Sequence, residues 1–345
     1  PPRSTLFPYT TLFRSRNSAQ IDGFVFNNGG TYYIAVSETS NVAYNPTVVA
    51  SGTPAASTGD YTLVVNVAAG VSDPSQVFTG SALSMGINTL GTLGGSAGTP
   101  GLRYNGIEFL PNLGQTFFGA VGGGLGFSNA AASQNSLAFS LTNQSDPSNF
   151  RLTTRAQQGN GLRIERSISF GRNDSFFVID VTLTNASAGG LTDVSWMEGF
   201  NPNPGISLGD NRANTVNDVA SGQPFGTAVY TNNQFTQGLT VGLGAPTTDT
   251  RAGVTFANGA VPRDPGVLIA QGNIDPNGTS GDFQMVITFD LGGLSAGSST
   301  SMRYFVYFGT TPTQVQNLHN AMNAGTGTGH LAAESDQPAT ETLSE

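Results

Sequence analysis

Two neighbouring side chains suggest a carbohydrate site. Trp196 and Glu198 are two positions apart, so on a β-strand they share one face. An indole ring packs against the flat face of a sugar, and a carboxylate accepts hydrogen bonds from its hydroxyl groups. The pair therefore predicts a ligand-binding surface if it faces an open groove. If it does not, a single tryptophan on a strand is a core residue.

A second candidate site is a cluster of side-chain oxygens that follows this pair. Calcium prefers carboxylate and amide oxygens, although tight sites use several carboxylates. The same residue types also form turns by bonding to their own backbone. The sequence thus allows calcium as a cofactor and leaves turn formation as the other explanation. The residues are Asn201, Asn203, Asp210, Asn211, Asn214, Asn217 and Asp218.

Other catalytic patterns find little support. The sequence contains no Gly-x-Ser-x-Gly, His-Glu-x-x-His or Walker motif. Its two histidines, His319 and His330, have no neighbour in sequence that would orient them as bases. Carboxylates such as Glu165 and Asp180 could serve glycoside hydrolysis only if they lay a few ångströms apart. The sequence therefore favours a non-catalytic role and leaves enzymatic activity open.

Composition excludes several partners. All 13 basic residues are arginine, against 22 acidic residues, and the formal net charge is −9. Phosphate backbones need a basic surface, so nucleic acid is not an expected partner. Without cysteine, neither a disulfide nor a thiolate metal site can form. No apolar run approaches the roughly 20 residues that cross a bilayer, so no membrane insertion is expected.

The elements that must position these residues are strands. The chain has 46 glycines and 18 prolines, and only 10% of its residues are charged, which is typical of short strands joined by tight turns. In the segment 175–185 alternate residues are apolar, and residues 284–292 repeat the pattern. Both faces of the first segment are apolar at one end, which predicts cover on both sides. We expect a large antiparallel β-sandwich over residues 73–311, of which a supersandwich is one form.

Two local features add to this prediction. After Pro312, the spacing of Val315, Leu318 and Met322 predicts one short helix, within a C-terminal segment 312–345 that otherwise forms a tail or linker. The arginines near Glu165 form the densest group of charges, which we expect to make cross-strand ion pairs rather than an anion site. They are Arg151, Arg155, Arg163 and Arg166.

The first fifteen residues are not expected to belong to the natural protein. Residues 5–15, TLFPYTTLFRS, match the translation of a common sequencing adaptor, so residues 1–15 are expected to be an artefact. The expectation that follows is a fragment whose signal peptide was lost with its true N-terminus.

Residues 16–72 read as strands that belong to a smaller domain. The motifs GTYYIAVS at 30–37, NVAYNP at 41–46 and TGDYTL at 58–63 resemble the last part of a bacterial pre-peptidase C-terminal domain. The resemblance covers about residues 21–68 and implies the second half of a jelly-roll-like sandwich. It also implies a secreted bacterial protein.

A looser resemblance covers roughly residues 75–310. The pattern Val181-x-Leu183-x-Asn185, with segments 214–219 and 289–297, resembles a β-domain of long secreted bacterial proteins, some of which carry haemolysin-type calcium repeats. In place of the Asp-Pro-Asp-like turn that this resemblance implies, the chain has Asn201 and Asn203.

Together these observations predict an all-β chain made of a truncated jelly-roll-like segment, a large antiparallel β-sandwich and one short C-terminal helix. The expected function is a non-catalytic structural or adhesive module of a larger secreted or cell-surface bacterial protein. Extracellular glycans or cell-surface components are its expected partners. A carbohydrate-binding or polysaccharide-processing supersandwich is the alternative.

Overall fold

The computed structural model describes residues 76–94, 101–110, 116–130, 136–203, 209, 215–219, 225–230, 238–258 and 264–325. All of them belong to the second of two units into which the chain divides, residues 66–345. The expected adaptor artefact and the jelly-roll-like segment at 16–72 lie outside the described residues.

Within the described residues the chain forms eighteen strands and two helices. The strands are β1 (Gln76–Thr79), β2 (Leu83–Ile87), β3 (Leu102–Tyr104), β4 (Ile107–Glu108), β5 (Thr116–Gly122), β6 (Leu125–Ala130), β7 (Ser140–Asn143), β8 (Asn149–Gln157), β9 (Leu162–Gly171), β10 (Phe176–Asn185), β11 (Leu191–Phe200), β12 (Thr215–Val219), β13 (Phe225–Tyr230), β14 (Leu239–Gly244), β15 (Ala252–Asn258), β16 (Thr279–Ser280), β17 (Phe283–Leu294) and β18 (Ser299–Gly309). The helices are α1 (Pro265–Gln271) and α2 (Pro312–Asn323).

These strands form three sheets, and within each sheet every pair of neighbouring strands is antiparallel. The largest sheet has nine strands in the order β16-β12-β13-β14-β18-β10-β9-β8-β7. A five-stranded sheet has the order β15-β17-β11-β5-β6, and β1 to β4 form a four-stranded sheet. The predicted all-β antiparallel sandwich is therefore confirmed.

One apolar core lies between the nine-stranded and five-stranded sheets. In β10, Phe177, Ile179, Val181 and Leu183 point into it, as their alternation predicts. The five-stranded sheet contributes residues such as Phe289 of β17, and β2 and β3 of the four-stranded sheet close the same core. Because each strand buries every second side chain there, the opposite face of each sheet is left for other contacts.

The C-terminal helix is where the sequence predicts it. In α2 the Thr311 hydroxyl caps the first turn by accepting from the Gln314 N–H, and Pro312 follows the cap. The apolar face of α2, with Val315 fully buried, packs on the outer face of β10 and β18. This explains why one end of β10 is apolar on both faces.

The helix α1 was not predicted, so the expectation of a single helix is wrong. It has seven residues, begins after the Asp264 cap and ends at Gln271, and Gly272, with a φ of 74°, forms its C-cap. Leu268 is buried against Met197 and Val286 on the outer face of the five-stranded sheet. Because the helix is short and buries only Pro265 and Leu268, the sequence shows too little helical periodicity to reveal it.

Candidate functional site

The outer face of the nine-stranded sheet changes character along β10 and β18. At one end Phe176, Val178 and Phe305 pack beneath α2. Further along, the outward positions carry Asp180 on β10 and Arg303 on β18, which are only partly buried. Because the register places these two residues directly opposite each other, the polar stretch runs across both strands.

A groove of about 740 Å³ lies over this polar stretch. Its floor is formed by β8, β9, β10 and β18, and one wall is the segment 246–251 that connects β14 to β15. We call it the outer groove. The described residues that line it are Arg151, Glu165, Ser167, Asp180, Val181, Thr182, Pro246, Thr248, Asp249, Thr250, Arg251, Ser301, Met302 and Arg303.

A bidentate ion pair between Arg303 and Asp180 lies on the floor of the outer groove. Nε of Arg303 donates to Oδ1 of Asp180 at 2.6 Å, and Nη2 donates to Oδ2 at 2.9 Å. Both side chains keep about a third of their surface exposed. This geometry fixes the orientation of a carboxylate and a guanidinium that remain accessible from the groove.

A second ion pair forms the wall. Arg251 donates to both carboxylate oxygens of Asp249, at 2.8 and 2.7 Å. The same guanidinium donates to the Thr300 hydroxyl and the Ser301 carbonyl, so it ties the wall to β18. Hydrogen bonds from Arg251 lower the pKa of Asp249, and the reciprocal bonds raise the pKa of Arg251. The wall is therefore held by charge-assisted contacts with both partners ionised.

Hydroxyl groups occupy the floor beside these pairs. In the groove, Thr182 and Ser301 share a hydrogen bond of 2.9 Å between their hydroxyl oxygens. Further along the same two strands, beyond the groove lining, Thr184 and Ser299 share one of 2.8 Å. Each hydroxyl can both donate and accept. The groove thus combines carboxylate acceptors, guanidinium donors and adaptable hydroxyls on strands that keep them in place.

Trp196 and Glu198 are not at this site or at any surface. Trp196 is fully buried and Glu198 is 6% exposed. Nε1 of Trp196 donates to the Tyr304 hydroxyl at 3.0 Å, and the Trp196 ring stacks on Phe118. The prediction that this pair forms a ligand-binding surface is corrected, because both residues point from β11 into the core.

The Glu198 carboxylate lies inside a buried polar network. Nε of Arg166 donates to Oε2 of Glu198 at 2.8 Å, Nη2 of Arg166 donates to Oε1, and the Tyr304 hydroxyl donates to Oε2. Burial disfavours the charge of Arg166, but the Glu198 charge and its hydrogen bonds outweigh this effect and raise the Arg166 pKa. Burial, followed by the Glu198 charge, raises the pKa of Tyr304 well above its ordinary value. The network therefore holds Glu198 against a fixed cation and a neutral phenol.

The proposed calcium ligands are divided between two places. Nδ2 of Asn203 donates to Oδ1 of Asn201 at 2.7 Å, and Nδ2 of Asn201 donates to Asp282. Asn217 is buried in β12 and donates to the backbone carbonyls of residues 215 and 281. These amides thus hold backbone and neighbouring side chains together.

The remaining members of the cluster do not complete a site among the described residues. Asp218 is exposed, and its pKa is raised by partial burial and then by the charge of Asp275. Asp210, Asn211 and Asn214 lie outside the described residues. Within the described ranges, no three His, Cys, Asp or Glu side chains are placed to hold a metal ion. Calcium binding stays a prediction.

The outer groove is the part of the site that the sequence did not reveal. Of its three arginines, only Arg151 belongs to the group of charges that the sequence singles out. Within that group, the expected cross-strand pairing is present between Arg155 and Glu165 at 2.7 Å. The pair on the floor, however, joins Asp180 to an arginine 123 positions away in the sequence. The only available signal was the change from apolar to polar outward residues along β10, at Asp180 and Thr182.

The fold defines the protein as an all-β sandwich with a polar groove on its largest sheet. No protein family model matches the chain, and neither does any curated protein. Several solved structures align with part of it at low scores. Heparinase III aligns with a TM-score of 0.39 and 12% identity over 67% of this chain and 34% of its own.

Two further structures have similar scores. A galactose mutarotase-like protein from Lactobacillus casei has a TM-score of 0.36 and 10% identity over 68% of this chain and 99% of its own. An alpha-mannosidase from Enterococcus faecalis has a TM-score of 0.38 and 10% identity over 74% of this chain and 31% of its own. Scores at this level identify neither a family nor a ligand. Among the described residues, no helix is long and apolar enough to span a bilayer.

Proposed function

We propose that this chain is a non-catalytic carbohydrate-binding module, and that the outer groove holds a glycan. The observation that carries the proposal is the groove itself, an open space of about 740 Å³ above the two-point pair of Arg303 and Asp180. The groove is open to solvent, so a bound chain would lie along it with one side exposed.

The chemistry of the lining suits hydroxyl groups. A sugar hydroxyl donates one hydrogen bond and accepts others, so it is best bound where donors and acceptors lie side by side. The Asp180 carboxylate accepts, the Arg303 guanidinium donates, and the Thr182 and Ser301 hydroxyls do both. Because these groups project from paired strands, they are oriented before a ligand arrives.

A binding role fits the groove better than a hydrolytic one. A glycosidase needs one carboxyl group that remains protonated near neutral pH, which requires a raised pKa. In the groove, the contacts from Arg251 lower the pKa of Asp249 instead. The Asp180 carboxylate has both oxygens bonded to Arg303. We include in the proposal that the module acts in a larger secreted or cell-surface bacterial protein, where glycan binding would serve adhesion.

The experiment compares two phenylalanine substitutions on the same sheet. Ser301→Phe places a ring in the groove, and Thr142→Phe places one on exposed β7, outside it. Binding to a glycan array and calorimetry with the best ligand are measured for both variants and the unchanged protein. We expect Ser301→Phe to weaken binding by at least about tenfold, or ~1.4 kcal/mol, and Thr142→Phe to leave it unchanged. Equal binding by all three proteins, or no glycan bound by the unchanged protein, would refute the proposal.

A structural module is the second candidate, and one observation favours it. Trp196 and Glu198 are buried in the core, as expected for a scaffold rather than for a lectin that uses this pair. A scaffold would show no saturable binding to any glycan, while its unfolding would remain cooperative.

A further inference from the structure

We propose that the outer groove selects neutral oligosaccharides over those that carry carboxylate or sulfate groups. This inference rests on the proposed function and adds the class of ligand. It depends on what the guanidinium groups of Arg251 and Arg303 already bind.

Arg251 has little capacity left for an anion. Its Nε and Nη2 atoms donate to the two oxygens of Asp249, at 2.8 and 2.7 Å. Its Nη1 donates to Thr300 at 3.0 Å, and Nη2 also donates to the Ser301 carbonyl at 2.9 Å. Four of the five N–H groups of a guanidinium are therefore in use. An anion would have to displace Asp249 to gain the two-point contact that makes arginine an anion receptor.

Arg303 presents the same obstacle on the floor of the groove. Its Nε and Nη2 atoms, which would bind an anion in bidentate fashion, already donate to the two carboxylate oxygens of Asp180, at 2.6 and 2.9 Å. A carboxylate or sulfate that approached it would meet the Asp180 carboxylate at close range. Like charges at such distances repel, and the loss of the existing pair would add to the unfavourable free energy.

The charges of the groove are balanced, and those of the chain are not. Its described lining contains three arginines, at positions 151, 251 and 303, and three acidic residues, Glu165, Asp180 and Asp249. The formal net charge of the whole chain is −9. The protein as a whole therefore repels anions, and the groove lining has no net positive charge that would offset this repulsion.

Neutral sugars meet none of these penalties. A hydroxyl can accept from the edge of a guanidinium and donate to a carboxylate without separating the pair. The shared hydroxyls of Thr182 and Ser301 add contacts that carry no charge. Paired charges and hydroxyls together thus favour a polar ligand without a net charge.

The experiment measures both ligand class and salt dependence. The unchanged protein is tested on an array of neutral glycans, uronate-containing glycans and sulfated glycans, at about 20 and about 500 mM NaCl. We expect binding to neutral glycans that changes less than about twofold between the two salt concentrations. Binding only to anionic glycans, with affinity that falls about tenfold or more in high salt, would overturn the inference and leave glycan binding intact. No binding to any class would instead refute the proposed function.

A gain-of-binding variant tests the cause. Asp180→Asn with Asp249→Asn removes both carboxylate partners and leaves the two arginines in place. This double variant is expected to bind sulfated glycans at least about tenfold more tightly than the unchanged protein does, in low salt. Asp290→Asn is the control, because it removes an exposed negative charge outside the groove. The control removes one negative charge and the double variant removes two. If affinity for sulfated glycans rose equally per charge removed in both, the inference would be overturned, because net charge and not the released arginines would then set the preference.

Discussion

Nε of Arg166 lies 2.8 Å from Oε2 of Glu198 in the middle of the sandwich. Arg166 belongs to β9 of the nine-stranded sheet and Glu198 to β11 of the five-stranded sheet, so the pair joins the two layers. Nη1 of Arg166 donates to the Gly91 carbonyl, and its guanidinium lies 4.7 Å from the centre of the Phe118 ring. A buried ion pair needs further hydrogen bonds to offset its loss of solvation, and here the Gly91 carbonyl and the Tyr304 hydroxyl supply two of them.

Removing one member of this pair should be much more damaging than replacing both. Arg166→Met leaves the Glu198 charge buried without its cation, and we expect it to lower the free energy of unfolding by about 3–5 kcal/mol. Arg166→Met combined with Glu198→Leu leaves no buried charge and should recover most of this loss. Urea unfolding of the two single variants, the double variant and the unchanged protein gives the coupling energy. Additive losses would contradict a direct interaction within the core.

Stability should decrease on acidification because of His319. This histidine of α2 is 2% exposed, and burial lowers its pKa to about 4. The ordinary pKa of histidine is about 6.5, so the unfolded chain binds the proton more readily than the folded chain does. The stability that comes from neutral His319 is complete above about pH 6.5 and is lost as the pH falls towards 4. We expect this residue to account for a loss on the order of 2 kcal/mol between pH 7 and pH 4.5.

The measurement is the free energy of unfolding at both pH values for the unchanged protein and for His319→Gln. The variant should lose less stability on acidification, and the difference isolates His319 from the carboxylates that also titrate near pH 4. His330→Gln, which alters the other histidine of the chain, is the comparison. Equal pH dependence in the unchanged protein and His319→Gln would show that the ring is not buried as described.

Gly199 of β11 allows the five-stranded sheet to pack closely. A Cβ atom added there would lie 2.5 Å from the Met285 carbonyl oxygen and 2.6 Å from Cζ of Phe117. Because the first contact is with backbone, Gly199→Ala should lower the free energy of unfolding by about 2 kcal/mol or more. Gly189→Ala is the matched control, since nothing lies within 4 Å of its Cβ position, and it should be nearly neutral. Thermal unfolding of the two variants checks this, and similar midpoints would count against such close packing around Gly199.

The strands were predictable because their signal is local. Alternation of apolar residues in β10 places Phe177 and Ile179 in the core, and this pattern needs only the ten residues of the strand. The cover over Phe176 and Val178 was predictable for the same reason, and α2 supplies it. The helix α1 buries only Pro265 and Leu268 and gives no comparable signal.

The candidate site was less predictable because its partners are distant in sequence. Trp196 and Glu198 were correctly placed on one strand face, but the sequence does not show which face is internal. That depends on Arg166 and Tyr304, which lie 32 and 106 positions from Glu198 and neutralise or bind its carboxylate in the core. One sequence feature did indicate the internal face. Arg166 lies between Ile164 and Ile168 on the apolar side of the β9 alternation, and the structure buries it there.

A crystal structure with the tightest neutral oligosaccharide from the array tests the central claim most directly. We expect the ligand to lie in the outer groove, with hydroxyl groups within hydrogen-bond distance of Arg303, Asp180 and Ser301 and with both ion pairs intact. A ligand bound elsewhere on the protein while the groove contains only solvent would contradict the account.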